Sequence, residues 1–378
     1  MISNNDVKIS LKLKKPNDSK HNSSNQTRSP EKPSSSSSSS SLSIGTKNAF
    51  FIEGGGTRGV YAIGILKYLF ENNPYFNLRD VDIFGGTSVG SFLAAALSLG
   101  YQKQDMIEIC KIINIADLID SKYRFMTTAY RFISQGHLYD DTARQEIVKK
   151  ILDYKIDTIK THLGIDSVQF RGTDLTFGHL KILISSHPTI YKHLLINAVD
   201  ISRSDQIFMT SLDDKYTDIK LFDAILASSS IPFVFKPVTL YFYPELNKYG
   251  YDLIVDAAST VNCLVDGAVS TGNPLDFFLL NDDNPVFSNY ELWLLKFTSE
   301  PKYVKIDGIS SLLKQTIEYS ISGKNDIKMD LIQEHYHINI INLHSHAGTL
   351  DIYTVDQVIS IIDDIYNKCV TGKLYFNN

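Results

Sequence analysis

The sequence predicts an α/β protein: a mainly parallel central sheet with helices packed on it. Three observations predict this class. Ala49-Phe50-Phe51-Ile52 and Val81-Asp82-Ile83-Phe84 are short, mostly apolar runs of the kind found in strands buried on both faces. Each run leads into a glycine-rich turn, and each turn leads into apolar residues at helical spacing. Strand, helix, strand, helix in that order joins parallel strands by crossover helices.

Taken in order, the elements begin after residue 47. Residues 1–47 are rich in Ser, Asn, Lys and Pro and include an unbroken serine run from Ser34 to Ser41. Too few large apolar side chains are present to offset the entropy of ordering, which predicts a disordered tail. Its lysines (Lys8, Lys12, Lys14, Lys15, Lys20) form either a solvated charge run or a tether for anionic lipid, and the serines offer phosphorylation sites. The Ala49 strand is followed by Val60, Ile63, Leu66, Leu69 and Phe70 at helical spacing, closed by Pro74. The Val81 strand is followed by a buried helix from Phe92 to Leu99, stopped by Gly100. Residues 103–160 read as mostly helical, with Asp141-Thr142 as a cap for the helix carrying Ile147, Val148, Ile151 and Leu152. Strands are expected at Leu175–Phe177, Lys181–Ile184, Leu194–Asn197, Leu253–Val255, Leu292–Phe297 and Ile338–Ile341. Helices are expected at Ile219–Leu226 and Asp356–Tyr366. No internal repeat or second linker interrupts residues 48–372, which predicts one domain there.

Composition narrows the function. The chain has 378 residues, 43% hydrophobic, and a net charge of -5. That mild acidity argues against a surface built for nucleic-acid phosphates. Three scattered cysteines, Cys110, Cys263 and Cys369, predict reduced thiols in an intracellular, cytoplasmic setting, not a disulfide framework. No apolar stretch is long enough to span a bilayer, and the N-terminus lacks the apolar core of a secretory signal. Ile2 is incompatible with N-myristoylation, and the last four residues are no prenylation box. The expectation is therefore approach to any lipid from solution, with peripheral contact at most.

The chemistry sits in the two glycine turns. Gly86-Thr87-Ser88-Val89-Gly90 is a G-x-S-x-G elbow, which lifts a serine hydroxyl above a strand-to-helix turn. Gly86 and Gly90 keep side chains out of that tight turn. Gly54-Gly55-Gly56-Thr57-Arg58-Gly59 is a bare loop at a helix start, where amides converge on an anion. A nucleophile beside an anion cradle is what acyl transfer needs. The same loop fits the G-x-G-x-x-G dinucleotide fingerprint, but the following strand ends in the serine elbow where an acidic ribose ligand belongs; Asp80 and Asp82 lie at its start. No Gly-Lys-Ser/Thr follows, so no P-loop is indicated. A base must come from elsewhere: a late histidine, or a carboxylate such as Asp266, which ends the apolar run Cys263-Leu264-Val265 before Gly267-Ala268. An ordinary aspartate is a weak base, so Asp266 requires burial to raise its pKa.

In order, these blocks resemble the patatin-like phospholipases: an acidic residue before a glycine-rich, arginine-containing loop, a G-x-S-x-G serine, and an Asp-Gly-Gly/Ala motif. Leu175–Gly178 and the stretch from Ala227 through Ser228-Ser229-Ser230 to Pro237 are two further familiar blocks. The departures are Glu53, where the family usually has Asp, and His337, where a late block commonly carries arginine. The resemblance implies a three-layer α/β/α fold and metal-free, cofactor-free hydrolysis of fatty-acyl esters of glycerolipids. It also implies a Ser88–Asp266 dyad, with Gly55, Gly56 and Thr57 amides, joined by Arg58, holding the oxyanion. Alternatives remain: a triacylglycerol lipase or acyltransferase using the same dyad, a Ser-Asp-His triad, a non-catalytic lipid-binding protein, and a dinucleotide oxidoreductase. His335, His337, His344 and His346 form two His-x-His pairs, a metal pattern if both lie on strands, but no cysteine or carboxylate cluster accompanies them. Phe125-Met126, Tyr130–Phe132 and Tyr241–Tyr243 hold bulky aromatics near expected loops, candidates for membrane insertion.

Overall fold

A computed structural model of the chain describes residues 8–12, 47–72, 77–112, 137–139, 141–251, 258–298, 303–308, 311–312, 315–316, 318–319, 326–345, 353–371 and 374–376. The strands are β1 (Lys8–Lys12), β2 (Lys47–Ile52), β3 (Val81–Gly86), β4 (His193–Asp200), β5 (Asp205–Thr210), β6 (Val238–Tyr243), β7 (Lys248–Gly250), β8 (Thr260–Asp266), β9 (Tyr290–Thr298), β10 (Ile338–His344) and β11 (Leu374–Phe376). The helices are α1 (Gly59–Asn72), α2 (Val89–Ser98), α3 (Lys103–Ile112), α4 (Thr142–Asp153), α5 (Ile156–Leu163), α6 (Phe177–Ser186), α7 (Leu221–Ser228), α8 (Asp276–Leu280), α9 (Asp326–His335) and α10 (Val355–Val370).

All the strands join one mixed sheet whose centre, β10-β9-β2-β3-β4, is parallel. Antiparallel strands extend it on both sides. The three layers follow from the period-2 alternation of the strands. Phe50, Ile52 and Phe84 pack with Val60, Leu93 and Ile362 in one core, while Ala49, Phe51 and Ile83 pack with Phe277, Phe278 and Ile332 in another. Helices α1, α2 and α10 cover the first face; α8 and α9 cover the second. α1 and α10 approach closely because Gly64 presents no side chain: a Cβ there would lie 2.7 Å from Ile365.

Several expectations need correction. Lys8–Lys12 is not part of a disordered tail: Ile9 and Leu11 are buried, and the strand pairs with β10 and β11. The rest of 1–46 lies outside the described residues, as do Phe125-Met126, Tyr130–Phe132, Leu253–Val255 and His346. Leu175–Phe177 and Lys181–Ile184 are not strands. Thr176 makes an isolated bridge and caps α6, its hydroxyl accepting from the His179 N–H, and Lys181–Ile184 is helix interior. Asp141 stands at the N-terminus of α4, but its carboxylate binds Arg144 instead of capping the backbone. Tyr241–Tyr243 belongs to β6, with Tyr243 buried and Phe242 packed on Tyr249. It is not a docking loop.

Candidate active site

The topology brings two distant strand ends together. β5 pairs with β4 along Leu195–Asp200 and occupies one edge of that strand. The opposite edge is shared end to end: β3 runs beside its first half, with Gly86 opposite Ile196, and β8 comes back along its second half, with Asp266 opposite Ala198. The serine elbow and the aspartate turn therefore meet across a single residue, Asn197. Asn197 is fully buried; its Oδ1 accepts the Thr87 hydroxyl at 2.5 Å and its Nδ2 reaches the Thr271 carbonyl at 3.5 Å. Gly267 is a glycine because a Cβ there would sit 2.6–2.7 Å from Asn197.

Ser88 takes a left-handed-side backbone conformation (φ 52°, ψ -125°), the strain expected of a nucleophile elbow. Main-chain crowding enforces the elbow. A Cβ on Gly86 would lie 2.2 Å from the Gly90 backbone, and one on Gly90 would lie 2.1 Å from the Ile52 carbonyl oxygen. The Ser88 N–H donates to Ser228 Oγ at 3.0 Å, and α2 starts immediately after it. The positive end of that helix favours negative charge at the serine.

Asp266 is fully buried. Its Oδ1 accepts the Ala268 N–H at 2.9 Å, and its own N–H donates to the Ser230 carbonyl at 2.9 Å. Burial pushes its carboxyl up from the ordinary 3.8 to about 7; the Ala268 amide, the Ser88 hydroxyl and the Arg144 charge each pull it back. The hydroxyl thus acts on the carboxyl, yet Oδ2 completes no well-formed hydrogen bond.

The glycine loop lies against the serine, with the Cβ position of Gly54 3.4 Å from Ser88 Cβ. Not all six of its residues are equally placed to hold an anion. The Gly54 N–H donates to the Gly272 carbonyl, Arg58 N–H to Gly55, and Gly59 N–H to Gly56. The Gly55 and Gly56 amides make no such bond among the described residues, and Gly56 has the positive φ (56°) of a turned-out peptide. Arg58 is buried and braces the loop through Nε to the Gly55 carbonyl at 3.1 Å. Glu53 ties the loop to β9, its Oε2 accepting the Phe297 N–H at 2.8 Å.

A cavity of about 140 Å³ runs from Ser88 and the loop between the helices, reaching Met106 and Cys110 of α3 and Ile151 of α4. Its walls are almost wholly apolar. Besides the hydroxyls of Thr57, Ser88 and Ser229, the lining carries a charge, Arg144, buried on α4, which sequence reasoning missed. A signal existed: residues 144, 147, 148, 151 and 152 share one helical face, so the arginine falls on the buried stripe.

The histidines lie elsewhere. His335 ends α9, so the first His-x-His pair is not on one strand. His337 precedes β10, at the opposite end of the sheet from Ser88, 3.5 Å from Glu291. His344 binds the Thr298 hydroxyl. Among the described residues none bonds Ser88 or Asp266, and no cluster of three metal-ligating side chains occurs.

Chemically this layout suits an α/β acyl hydrolase. The family model for patatin-like phospholipase matches residues 50–279. An uncharacterized protein of Acanthamoeba polyphaga mimivirus is 50% identical, over 89% of this chain and 91% of its own. The cGAMP-activated phospholipase of Escherichia coli (strain TW11681) is 23% identical, over 53% of this chain and 50% of its own. Among solved structures, VipD from Legionella pneumophila aligns with a TM-score of 0.43 at 12% identity, over 88% of this chain and 72% of that one. The chain belongs to the patatin-like phospholipase family, and is a lipid ester hydrolase by that membership. No helix among the described residues is long and apolar enough to cross a membrane.

Proposed function

We propose that the protein is a phospholipase A-type acyl hydrolase working through a Ser88–Asp266 dyad. The observation that carries this reading is the convergence of β3 and β8 on one edge of β4, which sets the elbow hydroxyl against a fully buried carboxyl whose pKa is lifted to about 7. At that value Asp266 is a usable base near neutral pH. It takes the Ser88 proton as Oγ attacks the ester carbonyl. The carbonyl oxygen becomes an oxyanion held by the Gly55 and Gly56 amides. Collapse expels the glycerol oxygen, which takes the proton back from Asp266, and leaves the acyl group on Ser88. Water then repeats the sequence: it gives a proton to Asp266, attacks the acyl carbonyl, and releases the fatty acid as Ser88 regains its proton. The apolar cavity beside Ser88 receives the acyl chain.

The test is product analysis by mass spectrometry after incubation with vesicles of mixed phospholipids. Free fatty acid plus lysophospholipid from the wild type, and neither from Ser88→Ala, supports the reading. Acyl groups appearing on an added alcohol or lipid acceptor in place of free acid indicates an acyltransferase. Equal turnover by wild type and Ser88→Ala refutes the serine mechanism.

A further inference from the structure

We propose that Arg144 is a positioning residue for this reaction: it clamps the serine run that ends α7, and that run fixes the main chain of both Ser88 and Asp266. The inference rests on the dyad reading above. Arg144 Nη1 donates to the Leu226 carbonyl (3.1 Å), Ser229 Oγ (3.3 Å) and Ser230 Oγ (3.2 Å); Nη2 reaches Asp141 Oδ2 (2.8 Å) and the Lys236 carbonyl (3.4 Å). Its guanidinium also lies 4.7 Å from the Phe235 ring centroid. One cation thus gathers the end of α7 and the strand entry that follows it. From that gathered segment, Ser228 Oγ accepts the nucleophile's amide and the Ser230 carbonyl accepts the base's amide. Three consecutive serines therefore connect Arg144, Ser88 and Asp266.

A purely structural role explains this poorly. Arg144 is 1% exposed, and burial alone pulls its pKa down. Arg144 Nε and Asp141 Oδ1 both remain without a hydrogen bond. Well-packed apolar residues commonly replace such a buried pair at no loss of stability. What an apolar residue cannot supply is positive charge beside Asp266. Arg144 is the charged side chain that acts on Asp266, where it favours the carboxylate. The other groups facing Asp266 are uncharged: Ser88 from the elbow, Asn197 from β4 beside the adjoining Gly267, and Ser230 from the end of α7. Asp141 is the ion-pair partner of Arg144, its Oδ2 lying 2.8 Å from Nη2.

The experiment is steady-state hydrolysis of a short p-nitrophenyl ester across pH by wild type, Arg144→Met, Arg144→Lys, Ser230→Ala and Ser88→Ala. Arg144→Met is expected to lower kcat by about tenfold or more with little change in KM. It should also move the acid limb of kcat/KM upward by about one pH unit, because the charge favouring the carboxylate is gone. Arg144→Lys should return that limb close to wild type while kcat stays several-fold down, since one ammonium cannot span the fork's partners. Ser230→Ala, which keeps the carbonyl but loses the hydroxyl, should lower kcat without moving the limb. A folded Arg144→Met with wild-type kcat and pH profile overturns the proposal, as does a loss that is equal in Met and Lys variants with no shift of the limb. If Arg144→Met does not fold, wild-type kcat in both Arg144→Lys and Ser230→Ala overturns it. Wild-type turnover by Ser88→Ala would instead bring down the dyad reading itself.

Discussion

Two carboxylates are buried on the same β4–β8 ladder, two residues apart along it: Asp200 faces Leu264, and Asp266 faces Ala198. Their surroundings differ. At the turn end, Asp200 Oδ1 accepts the Ser202 N–H at 3.0 Å and Oδ2 accepts Asn262 Nδ2 at 2.6 Å. Burial raises its pKa, and these bonds offset part of the rise. At the other end, Asp266 has one satisfied oxygen and one that completes no bond. Asp200 closes a hairpin; Asp266 keeps an oxygen in reserve. Burying an acceptor without a partner costs about 1–3 kcal/mol, and the molecule bears that cost beside the serine.

The sharpest way to break this comparison is to remove each carboxylate in turn. Asp266→Asn should lower kcat by about a hundredfold to ten-thousandfold, the usual worth of a general base, while Asp200→Asn leaves kcat within about twofold, as measured on the same ester. Ser88→Ala should abolish turnover, a loss at least as large.

Stability should rank the two variants the opposite way. Because the folded pKa of Asp266 is raised, its protonated form favours folding; that contribution is full below about 4 and is lost as pH rises through about 7. Asp266→Asn should therefore gain on wild type by roughly 1.4 kcal/mol per pH unit at most between those limits, read by urea unfolding at pH 5 and pH 8. Asp200→Asn turns an amide toward the Asn262 amide and should lose about 1–3 kcal/mol. The same shift sets the activity profile: kcat/KM should fall as pH drops through about 7, when the base takes up its proton.

Smaller effects test the surroundings. Ala96 lines the cavity, so Ala96→Phe should move preference toward shorter acyl esters, several-fold for long chains, in a chain-length series. His337→Ala, at the remote end of the sheet, should change kcat by less than about twofold.

What the sequence disclosed, and what it hid, follows from range. The elbow and the loop were legible because Gly86 and Gly90 answer to neighbours a few residues away or in the adjoining strand. Asp266 was legible as a strand end before a glycine. Asn197, Ser228 and Ser230 were not, because their roles come from long-range pairing: 110 residues separate Thr87 from Asn197, 140 separate Ser88 from Ser228, and 86 separate Arg144 from Ser230. Lys181–Ile184 misled because three apolar residues in a row after a lysine have no period that separates strand from helix. Ile9 and Leu11 alternate as a strand with one buried face should, but they sit inside a stretch whose composition argues for disorder.

The central claim is that Ser88 is acylated with Asp266 as its base. Peptide mass spectrometry after a timed reaction with an alkyl fluorophosphonate tests it most directly. The adduct should appear on the Ser88 peptide and form at least about a hundredfold more slowly in Asp266→Asn. An adduct on any other residue, or labelling of Asp266→Asn at the wild-type rate, would contradict it.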